Sequence, residues 1–534
     1  MWKEHPLAKK QIGPFALVSV TDKTRIGEVA AVLAKYDFQL LSTGGTAKVL
    51  AAAELAVIEV SALTGIPEMM DGRVKTLHPV IHGGLLAVRS NPEHMEALDR
   101  LGGGGIDVLI VNLYPFAETV AKGADFDTCA EEIDIGGPAM IRGAAKNHND
   151  VLIVVDPEDY NDLVAELETN NGVVKAEFRR RMAAKAFSYT AWYDSAIAAW
   201  LRGQVGELLP KYFTVGGIRK QVCRYGENPH QAGAIYLTGE NRPGAATARQ
   251  VAGKEMSLNN YADADAAFEL VGEFGATVPT CVIVKHANPC GVAQGMDQKQ
   301  AYRRAVECDR TSAFGGVVAF NQILELSTAL EIAKIFTEVV IAPDATEAAI
   351  EVIGSKPGIR LLLTGGLPDP RATGLTVKPI AGGLLVQTRD NKVETELDFG
   401  IVTRRGPTHA EAEDLRFAWT VAKHVKSNAI VFARHMRTVG VGAGQMSRVD
   451  SVHIAAQKAQ EMAKALDLPH PTTKGSVVAS DAFFPFADGL IAAIVAGATA
   501  AIQPGGSKND AEVIKAANDR DVAMVFTKVR HFRH

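Results

Sequence analysis

The sequence is poor in cysteine, with five in 534 residues (Cys129, Cys223, Cys281, Cys290 and Cys308) and no CxxC pair. An odd, widely scattered set excludes a disulfide framework and fits a reducing cytoplasm, where the protein is expected. Long apolar runs are missing too. The longest uncharged one near the C-terminus, Gly489 to Ile502, has 14 residues, too few to cross a bilayer as a helix, and reads as buried helix or strand. The opening MWKEHPLAKKQIG carries Glu4, His5 and Pro6 and no apolar secretory core, so no export is expected. Charge of one sign is scarce: 56 basic against 61 acidic residues leave −5, which supplies no basic field for a nucleic-acid backbone. An anionic ligand must be gripped locally. Tandem repeats and low-complexity tails are absent, which argues against a solenoid scaffold.

What remains is the composition of a soluble globular protein, 47% hydrophobic and 22% charged, in a chain long enough for two or more cores. Over the first 200 residues, strand-like FALVSV, QLLST, DVLIVNLY and VLIVVD alternate with helical RIGEVAAVLAKY and AKVLAAAELA. This alternation predicts a doubly wound α/β domain with a parallel sheet and ligands at the strand ends. A long helical stretch, AEFRRRMAAKAFSYTAWYDSAIAAWLRG, then leads to GQVGELLPKYFTVGG, which places a boundary near 205. The first domain is thus 1–205 and the second part 206–534, with a softer break at 365–380 in TGGLPDPRATGLTVKP.

In the first domain, LSTGGTAKVL sets Ser42, Thr43, Gly44, Gly45 and Thr46 between a strand end and a helix start. Free N–H groups and the helix dipole there suit a phosphate, and the same residues serve equally as a plain N-cap and turn. DGRVKTLHP crowds Arg73, Lys75, Thr76 and His78 ahead of Pro79, which alone reads as a solvated basic loop. VNLYPF adds Asn112 and Tyr114 after a buried strand, and DIGGPAMIRGAAKNH adds Asp134, then Arg142 and Lys146 four apart on a helix face. Together they form a proton-transfer site beside a phosphate pocket.

In the second part, CVIVKHANPCG reads as a buried strand that stops at Lys285-His286 and turns through Asn288-Pro289-Cys290-Gly291. A zinc deaminase site is rejected because the second thiolate after Cys290 and the glutamate after His286 are both missing. Cys290 lacks an oriented base and reads as a small buried thiol rather than a nucleophile. Lys285 and His286 stay open between an acid/base pair and a snorkelling lysine beside a satisfied histidine. Other unusual loops are CRYGENPHQ with Arg224 and Tyr225, KSNAI with Asn428, and SDAFFPFADG, where Phe483, Phe484 and Phe486 lie between Asp481 and Asp488. The last could seat a flat heterocycle, with at least one phenylalanine spent on core packing.

RVKTLHP, NLYPF, DIGGPAMIRGAAKNH, RYGENPHQ, KHANPCG, GAGQMSRVDS, SDAFFPF and the terminal RHFRH, in this order, resemble the bifunctional purine biosynthesis family from about residue 13 to 534. That family joins an inosine monophosphate (IMP) cyclohydrolase to an aminoimidazole carboxamide ribonucleotide (AICAR) formyltransferase. The resemblance implies a methylglyoxal synthase-like domain, two cytidine deaminase-like α/β units without zinc, 10-formyltetrahydrofolate as co-substrate, no transition metal, and a homodimer with formyltransferase sites at its interface. It assigns Lys285, His286, Asn428 and Asp488 to formyl transfer. Arg224, Tyr225, Phe314, Gly315, Asp344, Phe483, Arg530 and Phe532 would bind the substrates of that site. Arg73, Lys75, Tyr114, Asp134 and Lys146 match cyclohydrolase positions, Lys23 and Ser42 to Thr46 its phosphate side, and Asn112 a substrate contact. Arg25 and Lys528 stand where small residues would be expected. A rival reading, a phosphosugar sensor regulating the second part, needs anion donors but not the proton carriers Lys75, Tyr114 and Asp134.

Overall fold

The structure, a computed structural model, describes residues 14–393 and 399–534; the opening stretch with Glu4, His5 and Pro6 lies outside the described residues. Two compact units meet in sequence at Ile218 and Arg219, 13 residues beyond the boundary expected near 205, because the helix Ala176–Val205 ends at Gly206 (φ 68°) and its trailing loop stays with the first unit.

In the first unit β1 (Phe15–Ser19), β2 (Gln39–Ser42), β3 (Val57–Glu59), β4 (Ile106–Val111) and β5 (Leu152–Val154) form one sheet in the order β3-β2-β1-β4-β5. Every pairing is parallel, as the strand–helix alternation predicts. Both faces are covered: Phe15 and Leu17 of β1 enter a core with Ala186 and Tyr193, while Ala16 and Val18 enter another with Ile26 and Leu33. Burial on both sides is why these strands read as continuous apolar runs. The helices Ile26–Lys35 and Gly44–Ala52 follow β1 and β2, so loops that carry polar motifs gather at the C-terminal edge of the sheet. Arg25 has φ 54° and Lys528 φ 59°, left-handed backbone that explains why a small residue would be favoured at each.

A ribbon, β6 (Ile218–Cys223, whose first residue closes the first unit) and β7 (Gly233–Leu237), precedes a six-stranded sheet in the second unit. Its strands are β8 (Arg249–Ala252), β9 (Thr280–Lys285), β10 (Asn288–Gln294), β11 (Val317–Phe320), β12 (Val339–Ala342) and β13 (Arg360–Leu363), in the order β10-β9-β11-β12-β13-β8. An exposed hairpin, β14 (Leu375–Ile380) and β15 (Gly383–Thr388), follows. The second six-stranded sheet holds β16 (Gly400–Ile401), β17 (Ile430–Ala433), β18 (Thr438–Gly442), β19 (Ser476–Ser480), β20 (Ala498–Gln503) and β21 (Ala523–Phe526), in the order β18-β17-β19-β20-β21-β16. The two orders correspond strand for strand, and so do the directions: antiparallel hairpins β9–β10 and β17–β18, then parallel trios. This is an internal duplication too long in period and too diverged in sequence to register as a tandem repeat. The sheets meet edge to edge, where Val292 N–H donates to Thr438 Oγ1 at 2.9 Å and Gln294 N–H to Met436 O at 3.0 Å. The apolar run Gly489 to Ile502 splits into the helix Ala487–Val495 and β20.

Candidate functional site

Two sites can be built from these elements. At the C-terminal edge of the parallel sheet, Gly44 (φ 48°) turns β2 into a helix whose N-cap, Thr43, makes no side-chain cap, so the first-turn N–H groups have no side-chain partner. A side chain at Gly45 would come 3.8 Å from Lys23 Nζ, and one at Gly44 3.8 Å from Lys75 Nζ. Two ammonium groups therefore flank the glycine turn, an arrangement that holds an anion. Ser42 and Thr46 differ from the expectation: both are buried, and their hydroxyls donate to Val18 O (2.7 Å) and Val20 O (2.9 Å), tying the turn to β1. Buried polar groups must be paired, and these two are already spent, which narrows the anion-facing stretch to Thr43–Gly45. Asn112 is spent as well, accepting from Thr21 N–H (2.6 Å) and Asp22 N–H (2.9 Å) and donating to Asp22 O (3.0 Å); it shapes the loop that presents Lys23.

Beside this turn, Lys75 pairs with Glu68 at 2.8 Å and Arg73 with Glu131. The glycines of DIGGPAM allow close approach: a side chain at Gly136 would lie 2.9 Å from Thr76 Oγ1, and one at Gly137 2.5 Å from Leu113 Cδ2. Thr76, the Leu113–Tyr114 loop and Asp134 thus converge. Burial raises the Asp134 carboxyl above its ordinary range, against the pull of the Gly137 and Tyr114 N–H groups. Tyr114 is 42% exposed and open to a ligand. Lys146 closes the helix Gly136–Lys146, about 15 Å along its axis from Gly136, and Arg142 lies over the Phe187 ring at 5.5 Å.

Two positioning residues escaped the sequence reading. Tyr189 and Tyr193 lie four apart on one face of the helix Ala176–Val205. Tyr189 OH accepts from Leu113 N–H at 3.1 Å; Tyr193 OH accepts from Asp134 N–H at 2.9 Å and donates to Glu132 O at 3.0 Å. Burial raises both phenols above their ordinary range. The spacing in FSYTAWYD is the only trace of this in the sequence.

The second site starts at the β9–β10 hairpin. Its turn is His286-Ala287 (φ 53° and 56°), and Asn288 already begins β10, with a bulge between Pro289 and Gly291, so the turn expected over Asn288–Gly291 is displaced. Two successive left-handed residues match the right-handed twist of a hairpin, and the Asp263 carboxylate accepts from His286 N–H (3.2 Å) and Ala287 N–H (2.6 Å). Lys285 Nζ donates to Phe314 O at 2.7 Å, and a side chain at Gly315 (φ 70°) would lie 3.9 Å from Lys285 Nζ. Phe314 itself is exposed. A cavity of about 210 Å³ opens beside the turn, lined by Lys285, His286, Asp309, Ser312, Ile454 and Lys458. Lys458 pairs with Asp309 and donates to Ser312 Oγ at 3.2 Å. Cys290 Sγ donates to Ile283 O at 3.5 Å, and burial pushes its thiol up, in keeping with an inert thiol.

A chain of hydrogen bonds runs from this hairpin to the C-terminus. Lys426 N–H donates to Asn288 Oδ1 (2.9 Å), Ser427 N–H to Arg533 O (2.9 Å), and His531 N–H to Asp481 O (3.2 Å). Asp481 is fully buried and binds Arg448 and Ser427. Asn428 donates to Gln445 O (2.9 Å) and Met446 O (3.1 Å) and accepts from Arg448 (2.8 Å), so both its N–H donors are engaged inside the protein. The tail alternates: His531 is buried and Arg533 half-buried, while Arg530 and Phe532 face outward, with the guanidinium 4.3 Å from the ring centre. In the aromatic loop Phe484 is core, whereas Phe483, Phe486 and Asp488 are exposed. Among the described residues, no hydrogen bond joins Arg224, Tyr225, Asp344 or Asp488 to this network; Arg224 lies 5.6 Å over Tyr225, and Asp344 O accepts from Leu324 N–H at 2.8 Å. No group of three or more His, Cys, Asp or Glu side chains among the described residues could hold a metal ion, and none of the described helices is long and apolar enough to cross a membrane.

Comparison with known proteins decides the family. An MGS-like domain model matches residues 25–139, and the AICARFT/IMPCHase bienzyme model matches residues 144–458. The chain belongs to the bifunctional purine biosynthesis family. The curated "Bifunctional purine biosynthesis protein PurH" of Bradyrhizobium diazoefficiens is 61% identical over 97% of this chain and 98% of its own. That of Brucella ovis is 59% identical over 97% of both. A solved structure titled "Crystal structure of ForH" aligns with 35% of this chain and 95% of its own at 34% identity and a TM-score of 0.31, too low to bear on the fold. As a member of this family the chain is a bifunctional enzyme of purine biosynthesis, with AICAR formyltransferase and IMP cyclohydrolase activities.

Proposed function

We propose that the first unit closes the purine ring and that the second transfers the formyl group from 10-formyltetrahydrofolate to AICAR. The observation that carries this division is the pairing of Lys285 with the Phe314–Gly315 loop beside the His286 turn and its cavity. The 5-amino group of AICAR is a weak nucleophile, because its lone pair is drawn into the imidazole carboxamide. As its nitrogen bonds to the formyl carbon, a base takes its proton, the bond from the formyl carbon to the folate nitrogen breaks, and that nitrogen receives a proton. Lys285 and His286 share the two transfers. Phe314 and the exposed Phe483 offer faces for flat rings, Arg530 faces phosphate and Phe532 the imidazole, Asp488 adds a carboxylate, and Arg224, Tyr225 and Asp344 complete the substrate surface. Asn428, already bonded on three sides, supports the site through Arg448 and the Gln445–Met446 backbone.

In the first unit Lys23 and Thr43–Gly45 hold the phosphate, while Lys75, Tyr114 and Asp134 serve ring closure: the carboxamide nitrogen attacks the formyl carbon of the same molecule, and water leaves. Holding the reacting atoms together removes much of the entropic barrier. Lys146 serves ring closure with Lys75, Tyr114 and Asp134, Arg73 meets the substrate at the rim, and Asn112 acts through the loop that presents Lys23. The convergence of Lys75 with the glycine turn and of Thr76 with Gly136 supports this reading. Tyr193→Phe should destabilise the first unit by about 1–3 kcal/mol, because Asp134 N–H and Glu132 O lose their partner. It should also slow ring closure while leaving formyl transfer intact. Thermal unfolding with both assays checks this, and an unchanged cyclisation rate would show that the hydroxyl does not position Asp134.

The cytidine deaminase-like reading of the two sheets rests on the motif resemblance, their shared strand order supporting duplication alone, and a homodimer is supported by the apolar side chains Val377, Ile380, Leu384 and Leu385 left exposed on β14–β15. Formyl transfer should need no transition metal, since Cys290 Sγ is bonded to the Ile283 carbonyl and the glutamate and second thiolate of a zinc deaminase site are missing from KHANPCGVA. Active protein with one zinc per chain, inactivated by chelation, would overturn this.

A further inference from the structure

The internal duplication singles out Asp263. Each half of the second unit begins its helix with a capping box, Ser257 with Asn260 in one and Thr408 with Glu411 in the other. Six residues after each cap stands an aspartate, Asp263 or Asp414. Each carboxylate grips the turn of the neighbouring hairpin in the same way. Asp263 Oδ2 and Oδ1 accept from His286 N–H (3.2 Å) and Ala287 N–H (2.6 Å); Asp414 Oδ2 and Oδ1 accept from His435 N–H (2.9 Å) and Met436 N–H (2.7 Å). All four turn residues are left-handed, with φ between 53° and 56°. Left-handed backbone is costly for residues other than glycine, and two N–H donors aimed at one carboxylate are what hold it.

The copies differ in what the turn carries. Lys285 reaches the Phe314 carbonyl and, with His286, lines the cavity; Arg434, its counterpart, donates instead to Lys474 O at 2.9 Å, and His435 O accepts from Arg304. One copy of the clamp is therefore coupled to a site, and the other to packing. We infer that Asp263 is a positioning residue for formyl transfer: by fixing the backbone of His286 and Ala287 it sets the direction in which the imidazole leaves the hairpin relative to Lys285. The inference rests on the reading that His286 acts in formyl transfer, and Asp414 supplies an internal control.

Asp263→Asn replaces one acceptor oxygen by an amide that opposes an N–H group, so one of the two bonds is lost. In the full-length protein it should lower kcat for formyl transfer by about 30-fold or more, with KM for the nucleotide changed less than about threefold and cyclisation unchanged. Asp414→Asn should shift thermal unfolding by a similar amount yet leave kcat within about threefold of the parent. A kcat for Asp263→Asn within that same range, or an equal loss in Asp414→Asn, would overturn the inference. If Asp263→Asn does not fold, Asp263→Glu keeps both acceptors and the charge but moves them out by one methylene; a loss of about tenfold or more supports positioning, and full kcat refutes it. His286→Ala separates the levels: if it keeps full formyl transfer, the underlying reading fails, whereas if it is inactive while Asp263→Asn is fully active, only the positioning role fails.

Discussion

His286→Ala is expected to abolish formyl transfer, with a loss of about 10²–10⁴-fold, while cyclisation of the formylated nucleotide stays near that of the parent. The side chain is exposed on a two-residue turn, so its removal leaves no cavity and no unpaired buried group, and the loss would be chemical rather than structural. Lys75→Ala is expected to do the reverse. It removes an ammonium group at the glycine turn together with the Glu68 pair, a partly exposed pair of small weight for stability. The two assays on each variant, with thermal unfolding and mass in solution, decide the matter. Loss of both activities by either substitution in a folded protein would sink the two-site division.

Deletion of Arg530 to His534 should likewise abolish formyl transfer and spare cyclisation, although chain ends ordinarily tolerate deletion. This end is tied in by the backbone bonds of His531 to Asp481 and of Arg533 to Ser427, and by the His531 side chain on Asp390. Those inward residues anchor the segment, and the alternation of an extended chain turns Arg530 and Phe532 to the other face. Arg530→Lys separates ligand from anchor: it keeps the charge and the inward bonds but loses the two-pronged guanidinium and its stacking on Phe532. It should raise the nucleotide KM more than it lowers kcat. Full formyl transfer in the truncated protein would remove the tail from the site; loss of assembly along with activity, read from mass in solution, would make its role one of packing.

Local pattern by itself determined the parallel sheet, the two-unit order and the family. β1, β2, β4 and β5 announce themselves by apolar runs, the helices by their spacing, and the motifs by residues that no single core would place together in sequence. The same pattern put the hairpin turn at Asn288–Gly291, where proline and glycine signal one locally. Only the tertiary structure moved it to His286-Ala287, because a carboxylate 23 residues away holds a backbone that those side chains alone would not choose. Ser42 and Thr46 looked identical to Thr43 as phosphate ligands until β1 claimed their hydroxyls. Tyr189, Tyr193 and Asp263 carry no motif, since their work is to bond backbone groups distant in sequence. Periodicity records which face of an element is buried; which loops then meet, and which polar groups they consume, is decided by contacts between elements far apart in the chain.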